Sequence, residues 1–297
     1  MYIIIVNSYS GQHRYKKIMK HLNELLHTPF VTYYTDQYQG NNMWHDINGK
    51  INEIKTDALG IIIVGGDGTL HQAVQHLHHH TLPFGLIPTG SGNDFGRALN
   101  IPRNIKKAIE RINNREIKTY DLLDVNERKV LSIVGIGVDA ETAIKCQHSF
   151  LKKLLNRAFL GRLTYLMVFL QTVIHYKPLN VTIYDSHGEK NSFEKVWLIA
   201  GGNTSYYGGG IPICPLANPQ DGEIDLVIVH SLSLIRLMLA LPSVFIKKHL
   251  NLPYVTMIRG KDFSIISNEL QGVQGDGEEI GSTPAKIKLL EKAIRFF

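Results

Sequence analysis

The feature that most constrains this chain is an apolar run, residues 59–64, that ends abruptly in Gly65-Gly66-Asp67-Gly68-Thr69. The run is short, β-branched and continuous, which is typical of a parallel strand buried on both faces. The residues that follow, 70–77, place apolar side chains on one helical face. This order of strand, glycine turn and helix predicts a phosphate-binding loop, in which glycines let the backbone approach an anion and the helix presents free N–H groups.

The carboxylate of Asp67 lies in a loop that would hold phosphate, and like charges repel each other. A bridging cation is therefore expected, and Mg²⁺ fits because proteins bind it through few carboxylates and through substrate phosphates. The alternative is an ordinary βα turn, in which glycine supplies positive φ and Asp67 caps the helix. A second glycine loop, residues 89–94, follows another short apolar run at residues 84–87. It favours phosphate binding, because two such loops can converge on one ligand.

Strand and helix patterns alternate over the first third of the chain, with further strands predicted at residues 2–6 and 30–35. Such alternation predicts a doubly wound parallel sheet with helices on both faces, whose ligands lie at the carboxyl ends of the strands. We therefore predict a nucleotide-binding α/β domain over residues 1–118.

The pattern changes after residue 114, where short β-like runs replace the alternation. These runs lie at residues 119–125, 130–138, 179–184, 196–201, 224–229, 263–267 and 287–290. Their separation by turns and insertions predicts an antiparallel β-sandwich domain over residues 119–297. The predicted fold class is thus α/β followed by all-β, with helical insertions in the second domain.

Two helical insertions, residues 150–175 and 234–250, mix apolar with basic side chains. The basic residues are Lys152, Lys153, Arg157, Arg162, Arg236, Lys247 and Lys248. Such a helix can lie in a membrane interface or can pack its apolar side on the sheet, and core packing is the preferred interpretation for each helix taken alone. If the insertions do contact a membrane, contact with anionic lipid is expected through Lys152, Lys153, Arg157 and Lys247.

The formal net charge of +6 makes nucleotides and an anionic membrane surface reasonable partners. No nucleic-acid-binding motif occurs, so no nucleic-acid partner is expected. The two cysteines lie far apart and are interpreted as free thiols in a reducing cytosol. The N-terminal apolar stretch is too short for a signal peptide, and the one at residues 163–174 is far below the ~20 residues of a membrane span. We expect a cytoplasmic protein with peripheral membrane association, and a homodimer is left open.

Several of these segments match one family. The sequence GGDGT at residues 65–69 and PTGSGNDF at residues 88–95 resemble the catalytic domain of the soluble diacylglycerol kinases, a family that includes sphingosine kinases and bacterial lipid kinases. The resemblance extends through GRLTYL at 161–166, YGGG at 207–210, DGEID at 221–225 and GDGE at 275–278, and so covers nearly the whole chain. The chain departs from the family pattern at His71-Gln72, where bacterial members usually have Asn-Glu after an apolar residue, and at Ser91, which replaces the usual threonine.

The resemblance implies an ATP-dependent lipid kinase of lipid metabolism. Such an enzyme transfers the γ-phosphoryl group of Mg-ATP to a hydroxyl of a lipid such as diacylglycerol, with the active site in a cleft between two domains. The nucleotide-binding residues that it implies are Asn7, Ser10, Gly11, Thr35, Gly65, Gly66, Asp67, Gly68, Thr69, Leu70, His71, Gln72, Ser91, Asn93 and Asp94.

Three carboxylates acquire catalytic roles through the same motif match. Glu278 is implied as the general base, and Asp121 as the residue that supports both the base and magnesium. Asp67 is implied as the residue that serves the nucleotide-bound Mg²⁺. A separate structural Mg²⁺ is implied at Asp221, with backbone carbonyls of Asn218 and Glu223 as further ligands. From spacing alone, residues 275–278 would be interpreted as a hairpin turn with exposed acids.

Two other functions remain open. An NAD kinase shares GGDGT on a similar domain, although the motifs at residues 90–94 and 275–278 favour the lipid kinases. A noncatalytic nucleotide- or lipid-sensing protein that retains the kinase fold is favoured by the departures at His71, Gln72 and Ser91.

Overall fold

The computed structural model describes residues 1–10, 15–148 and 161–297. Two compact units are present: Met1–Tyr120 together with Lys292–Phe297, and Asp121–Glu291. The last residues of the chain therefore belong to the first unit, whereas the predicted division after residue 118 assigns them to the second. Gly11 and the predicted membrane contacts Lys152, Lys153 and Arg157 lie outside the described residues.

The first unit alternates strands and helices. In chain order its elements are β1 (Tyr2–Val6), α1 (Tyr15–Leu25), β2 (Phe30–Tyr34), α2 (Asn42–Ile54), β3 (Gly60–Gly65), α3 (Asp67–Leu77), β4 (Phe84–Pro88), α4 (Asp94–Ala98) and α5 (Ile105–Asn114). The four strands are parallel, in the order β2-β1-β3-β4. Phe296, near the end of the chain, pairs in parallel with Phe84 beside β4.

Both faces of this sheet are covered. Tyr2, Ile4 and Val6 of β1 share a core with buried residues of α1 and α5, because alternate side chains of a strand point to the same face. Ile3 and Ile5 on the opposite face are also fully buried, and α3 packs on β3 and α2. The predicted doubly wound parallel sheet is confirmed.

The second unit consists mainly of strands, and its first and last strands each extend by a few residues into the part of the chain that belongs to the first unit. Its elements are β5 (Lys118–Val125), β6 (Arg128–Val130), β7 (Ile133–Gly137), α6 (Val138–His148), α7 (Gly161–His175), β8 (Leu179–Asp185), β9 (Lys190–Val196), β10 (Leu198–Gly202), β11 (Ile224–Val229), α8 (Leu234–Phe245), β12 (Val255–Gly260), β13 (Asp262–Ser267), β14 (Gly272–Gly275), β15 (Glu278–Ser282) and β16 (Ala285–Phe296). One antiparallel sheet has the order β12-β11-β10-β7-β14-β15, and a second contains β16-β13-β8-β9 with β5 and β6 attached.

Apolar side chains of both sheets form one core. Val134, Ile199 and Val227 of the first sheet join Val181 and Ile265 of the second, which is the arrangement of a sandwich. The predicted antiparallel sandwich is therefore confirmed.

The helices of the second unit pack on this core. Phe169 and Val173 of α7 and Leu237 of α8 belong to the buried cluster, as the core-packing interpretation predicts, although α8 ends at Phe245 rather than continuing to residue 250. Within the described ranges, no helix is both long and apolar enough to cross a bilayer.

Candidate functional site

In the first unit, three loops meet beyond the carboxyl ends of β1, β3 and β4. Asn7, after β1, donates from Nδ2 to Thr69 Oγ1 at 3.0 Å. Ser10 Oγ lies 2.7 Å from Thr89 Oγ1 after β4, and the Thr89 N–H donates to the Gly65 carbonyl at 2.9 Å. Predicted site residues from separate strands are therefore brought together at one edge of the sheet.

The two glycine loops touch through Gly66 and Gly90. A Cβ atom on Gly66 would lie 2.9 Å from the Gly90 Cα, and a Cβ on Gly90 would lie 2.6 Å from the Gly66 Cα. Any side chain at either position would force the loops apart. Asn93 shapes the second loop, because its Oδ1 accepts the Gly90 N–H at 3.0 Å and its Nδ2 donates to the Gly90 carbonyl at 2.6 Å.

Asp67 is the first residue of α3, where backbone N–H groups of the first turn have no partner within the helix. Its Oδ1 accepts the Phe95 N–H at 3.3 Å, which links the start of α3 to α4. The carboxylate offers an oxygen ligand to a cation, and the backbone N–H groups at the helix N-terminus offer hydrogen-bond donors to a phosphate. The donor set around Asp67 therefore suits Mg²⁺ bound together with a nucleotide phosphate.

A pocket of about 260 Å³ lies in the same unit. Its lining contains five predicted nucleotide-binding residues, Asn7, Thr35, Gly68, Thr69 and Gln72. The sequence analysis missed the other four lining residues, Tyr38, Gly40, Met43 and Trp44. Polar groups on one part of the lining and aromatic and thioether groups on another suit a ligand with a polar portion and a flat apolar portion. The signal for the missed residues is the pair of aromatic residues, Tyr38 and Trp44, in the segment that follows β2.

Other predicted nucleotide-binding residues have different surroundings. Leu70 and His71 are buried at 0% and 2% exposure, and the Leu70 N–H already donates to the Gly66 carbonyl at 3.1 Å, so both residues are enclosed by the protein. The Asp94 carboxylate is paired with a guanidinium on its own helix, and Ser91 is exposed. Gly11 cannot be placed among these contacts, since it lies outside the described residues.

In the second unit, Glu278 begins β15 directly after a tight turn. Asp276 and Gly277 both have positive φ, and Gly275 pairs with Glu278, which is the geometry of a two-residue hairpin turn. Asp276 is not an exposed acid, because its carboxylate accepts the N–H groups of Leu131 at 2.8 Å and Ser132 at 2.7 Å. The turn is therefore attached to the sheet, and Glu278 is half-buried at its end.

Gln274 anchors this turn from inside the protein. Its Nε2 donates to Asp139 Oδ2 at 2.9 Å, and its Oε1 accepts the Gly277 N–H at 2.8 Å. Asp139 and Gln274 are both almost completely buried. The Gln274 side-chain amide thus connects the buried Asp139 carboxylate to the backbone of the turn.

Replacing this amide is expected to weaken the second unit. Gln274→Ala removes a hydrogen bond to a buried carboxylate and one to the turn, and we expect a loss of about 2–4 kcal/mol in the free energy of unfolding. Urea denaturation followed by circular dichroism measures the change. Gln271→Ala is the matched control, because the Gln271 side chain makes only a 3.5 Å contact with Tyr176. Equal stability of the two variants would contradict the anchoring role.

A cluster of carboxylates surrounds the loop before β11. Asp121 Oδ2 accepts the Gly222 N–H at 3.0 Å, and Asp221 Oδ1 accepts the Glu223 N–H at 3.1 Å. Burial raises the pKa of the Asp221 carboxyl, and the negative charges of Glu223 and Asp121 add to this rise. The hydrogen bond that Asp121 accepts from Gly222 stabilises the loop that carries Asp221. The Asn218 carbonyl accepts the Asp221 N–H at 3.3 Å, which leaves a second lone pair on that oxygen.

Asp225 extends this cluster into β11. Burial raises the pKa of its carboxyl, and the charge of Arg259 opposes the rise across a contact of 2.8 Å between Arg259 Nε and Asp225 Oδ1. Among the described residues, no three histidine, cysteine or acidic side chains form a metal-binding group. A cation held here would accordingly need backbone carbonyls in addition to the Asp221 carboxylate.

Asn203 is an organising residue that the sequence analysis missed. Its Nδ2 donates to the carbonyls of Asp121 at 2.9 Å and Leu131 at 2.7 Å, and its side chain is fully buried. It therefore links the strand that carries Asp121 to the segment whose N–H groups hold Asp276. The available signal was a polar residue directly after the buried strand β10.

An apolar pocket lies on the inner side of α8 in the second unit. Side chains from α6, α7, α8, β10, β11 and β12 line it, including Phe169, Leu198 and Val244. The buried His249 also lines it and contacts the Ile213 carbonyl through Nε2 at 2.8 Å. Burial lowers the pKa of His249. This pocket suits the hydrocarbon part of an amphiphile.

Known proteins with similar sequences fall in one family. Residues 1–125 match the diacylglycerol kinase catalytic domain, and residues 132–297 match the YegS C-terminal NAD kinase beta sandwich-like domain. The "Putative lipid kinase SA0681" of Staphylococcus aureus (strain N315) is 30% identical over 263 residues, which span 84% of this chain and 82% of that protein. The "Putative lipid kinase YtlR" of Bacillus subtilis (strain 168) is 28% identical over 244 residues, or 79% of each chain.

Solved structures give the same result. The crystal structure described as a putative diacylglycerol kinase from Bacillus anthracis str. Sterne superposes with a TM-score of 0.79 at 25% identity, covering 99% of this chain and 94% of that one. A second structure with the same description has a TM-score of 0.77 at 23% identity, covering 99% and 96% of the two chains. The chain belongs to the diacylglycerol kinase catalytic-domain family.

Proposed function

We propose that this protein is an ATP-dependent lipid kinase, which transfers the γ-phosphoryl group of Mg-ATP to a hydroxyl of a lipid such as diacylglycerol. The single observation that carries the proposal is the approach of Gly66 to Gly90 beside Asp67, which leaves two backbone loops and one carboxylate at the end of a parallel sheet. Phosphoryl transfer depends mainly on positioning and charge stabilisation, and these groups supply both.

The first unit supplies the nucleotide site in this proposal. The hydroxyl and amide groups of Asn7, Thr69 and Gln72 and the N-terminus of α3 would hold the phosphates and ribose, and Tyr38 and Trp44 would contact the base. Mg²⁺, with Asp67 as a protein ligand, would neutralise charge on the phosphates. The oxygen donors present suit this ion.

The second unit supplies the lipid site. We assign Glu278 the role of general base, since the hairpin turn holds it at a fixed position and a carboxylate can accept the proton of the attacking hydroxyl. The apolar pocket behind α8 would take the hydrocarbon chain. The names of the relatives favour a lipid over NAD as the acceptor, and the proposal places the protein in the cytoplasm at an anionic membrane surface.

An assay of ATP consumption tests the proposal against its alternatives. We expect Mg-dependent ADP formation with vesicles that contain diacylglycerol, and none with NAD or with ATP alone. ADP formation with NAD only would indicate an NAD kinase. Binding of ATP without turnover in any mixture would indicate a sensing protein.

A structural Mg²⁺ at Asp221 is a separate part of the proposal. Burial and, to a smaller extent, the charges of Glu223 and Asp121 raise the Asp221 pKa, and a bound cation would offset both effects. Mg²⁺ is therefore expected to raise the melting temperature by about 5–10 °C at a hundredfold excess over Kd. Asp221→Asn should abolish this increase. Asp185→Asn is the matched control, because Asp185 Oδ1 likewise accepts nearby N–H groups, at 2.9 and 2.8 Å. An unchanged response of Asp221→Asn would argue against the metal.

The pH dependence of this effect follows from the direction of the pKa shifts. The pKa values of Asp221 and Asp225 lie above their unfolded values, so the contribution of these groups to stability is present below about pH 3.9 and is lost as the pH rises through the folded pKa values. Mg²⁺ binds the ionised form. The increase in melting temperature caused by Mg²⁺ should therefore be absent below about pH 3.9 and complete above the folded pKa values. Calorimetry at several pH values can measure it.

A further inference from the structure

One face of α8 is apolar and exposed. Ile235 is 73% exposed, Leu239 77%, Phe245 45% and Ile246 64%. Positions 235, 239 and 242 follow a helical spacing, so Ile235 and Leu239 lie on the same side of the helix as Pro242. Ile246 is the residue directly after the helix. Folding leaves these large side chains in water, although water is an unfavourable environment for them.

The charges around this face have one sign. The helix Leu234–Phe245 contains no acidic residue. Arg236, Lys247 and Lys248 are exposed within or directly after it, and Lys247 Nζ lies over the Tyr206 ring at 5.6 Å from its centroid. An apolar stripe flanked by cations is complementary to an anionic lipid surface, whose headgroups attract the cations while its hydrocarbon accepts the stripe.

The opposite face of the same helix lines the apolar pocket, through Leu237, Leu241 and Val244 among others. A helix with lipid on one side and the pocket on the other would let a hydrocarbon chain pass between the two with little exposure to water. That transfer avoids the free-energy cost of hydrating each methylene group.

We propose that the exposed apolar face formed by Ile235 and Leu239 of α8 and by Ile246 directly after it inserts into the surface of an anionic membrane, with Arg236, Lys247 and Lys248 at the headgroups. The inference rests on the proposed function only in that a lipid substrate explains why docking occurs. It keeps the predicted contact at Lys247, whereas the predicted contacts at Lys152, Lys153 and Arg157 lie outside the described residues.

Vesicle flotation without ATP tests the docking surface. The wild type is expected to bind vesicles of equal parts phosphatidylcholine and phosphatidylglycerol at least about tenfold more tightly than vesicles of phosphatidylcholine alone, and raised salt should weaken the binding. The double variant Ile235→Gln/Leu239→Gln should lose at least about tenfold in partition coefficient, because Gln preserves helix propensity but removes two inserting side chains. Lys247→Gln/Lys248→Gln should reduce the preference for anionic vesicles.

Leu270→Gln is the matched control, since Leu270 is 78% exposed and lies outside α8. It should bind vesicles as the wild type does, and circular dichroism should show equal helix content in all variants. Equal binding by the α8 variant and the wild type would overturn the proposal. The proposal would also be overturned if light scattering in lipid-free solution showed a dimer for the wild type and a monomer for the α8 variant, because the face would then be an interface between two copies.

A soluble short-chain diacylglycerol separates this inference from the proposed function. The α8 variant is expected to phosphorylate this substrate at the wild-type rate, while its rate on vesicle-borne substrate falls. If the wild type binds vesicles through α8 but phosphorylates neither substrate, the docking surface stands and the kinase proposal fails. If the wild type phosphorylates both while the α8 variant is unimpaired on vesicles, the docking surface is wrong and the kinase proposal stands.

Discussion

Glu278→Gln is expected to lower kcat by about 10²–10⁴-fold with little change in the affinity for ATP. Gln has the size and hydrogen-bonding reach of Glu but cannot accept the substrate proton. Because the transition state of phosphoryl transfer is largely dissociative, proton removal can occur late, which places the expected loss near the lower end of that range. Single-turnover kinetics with bound ATP measured separately gives the value.

Glu279→Gln is the natural control for this experiment. Glu279 is the next residue of β15 and is exposed, so it shares the hairpin and the net charge change but is not assigned as the base. It should retain the wild-type rate. Near wild-type transfer by Glu278→Gln would contradict the assignment of the base, and a change confined to KM would mean that Glu278 binds substrate instead.

Asp67→Asn is expected to lower kcat/KM for ATP by at least about 100-fold, since it removes the charge that serves the nucleotide-bound cation. Asparagine keeps an oxygen that can accept the Phe95 N–H, so the link between α3 and α4 is preserved. Titration calorimetry with ATP, with and without Mg²⁺, separates cation binding from phosphate binding.

The matched change is Asp57→Asn, at an exposed aspartate of the first unit outside the glycine loops. It should leave ATP affinity unchanged, and both variants should melt at the wild-type temperature. An Asp67→Asn protein with wild-type affinity and turnover would remove the glycine loop from the proposed nucleotide site.

The sequence was most informative where a single physical requirement dominated. The continuous β-branched runs at β1 and β3 predict strands buried on both faces, and both strands are completely buried. The strands that were missed have other patterns. β9 is largely exposed and rich in polar residues, β12 is only half-buried, and β14 and β15 are too short to show an alternation on either side of the turn.

The candidate site was predictable as a set of loops but not as a set of contacts. The glycine pattern predicts close backbone approach, and the contact of Gly66 with Gly90 requires it. The same pattern cannot indicate that the Asn93 amide closes its own loop. It also cannot indicate that Asp276 is bound by N–H groups from a segment far away in sequence. Such roles depend on tertiary contacts between distant segments, which local spacing does not encode.

In the proposed reaction the γ-phosphoryl group moves from ATP to a lipid hydroxyl, whose proton Glu278 accepts. The most direct test of this reaction is transfer of labelled γ-phosphate to diacylglycerol and to a total lipid extract in Mg²⁺, with products identified by mass spectrometry. We expect a labelled phosphate monoester of a lipid with the wild type and with Glu279→Gln, and at least about 100-fold less product with Glu278→Gln. Absence of any labelled lipid with the wild type, in the presence of verified ATP binding, would contradict the proposed reaction.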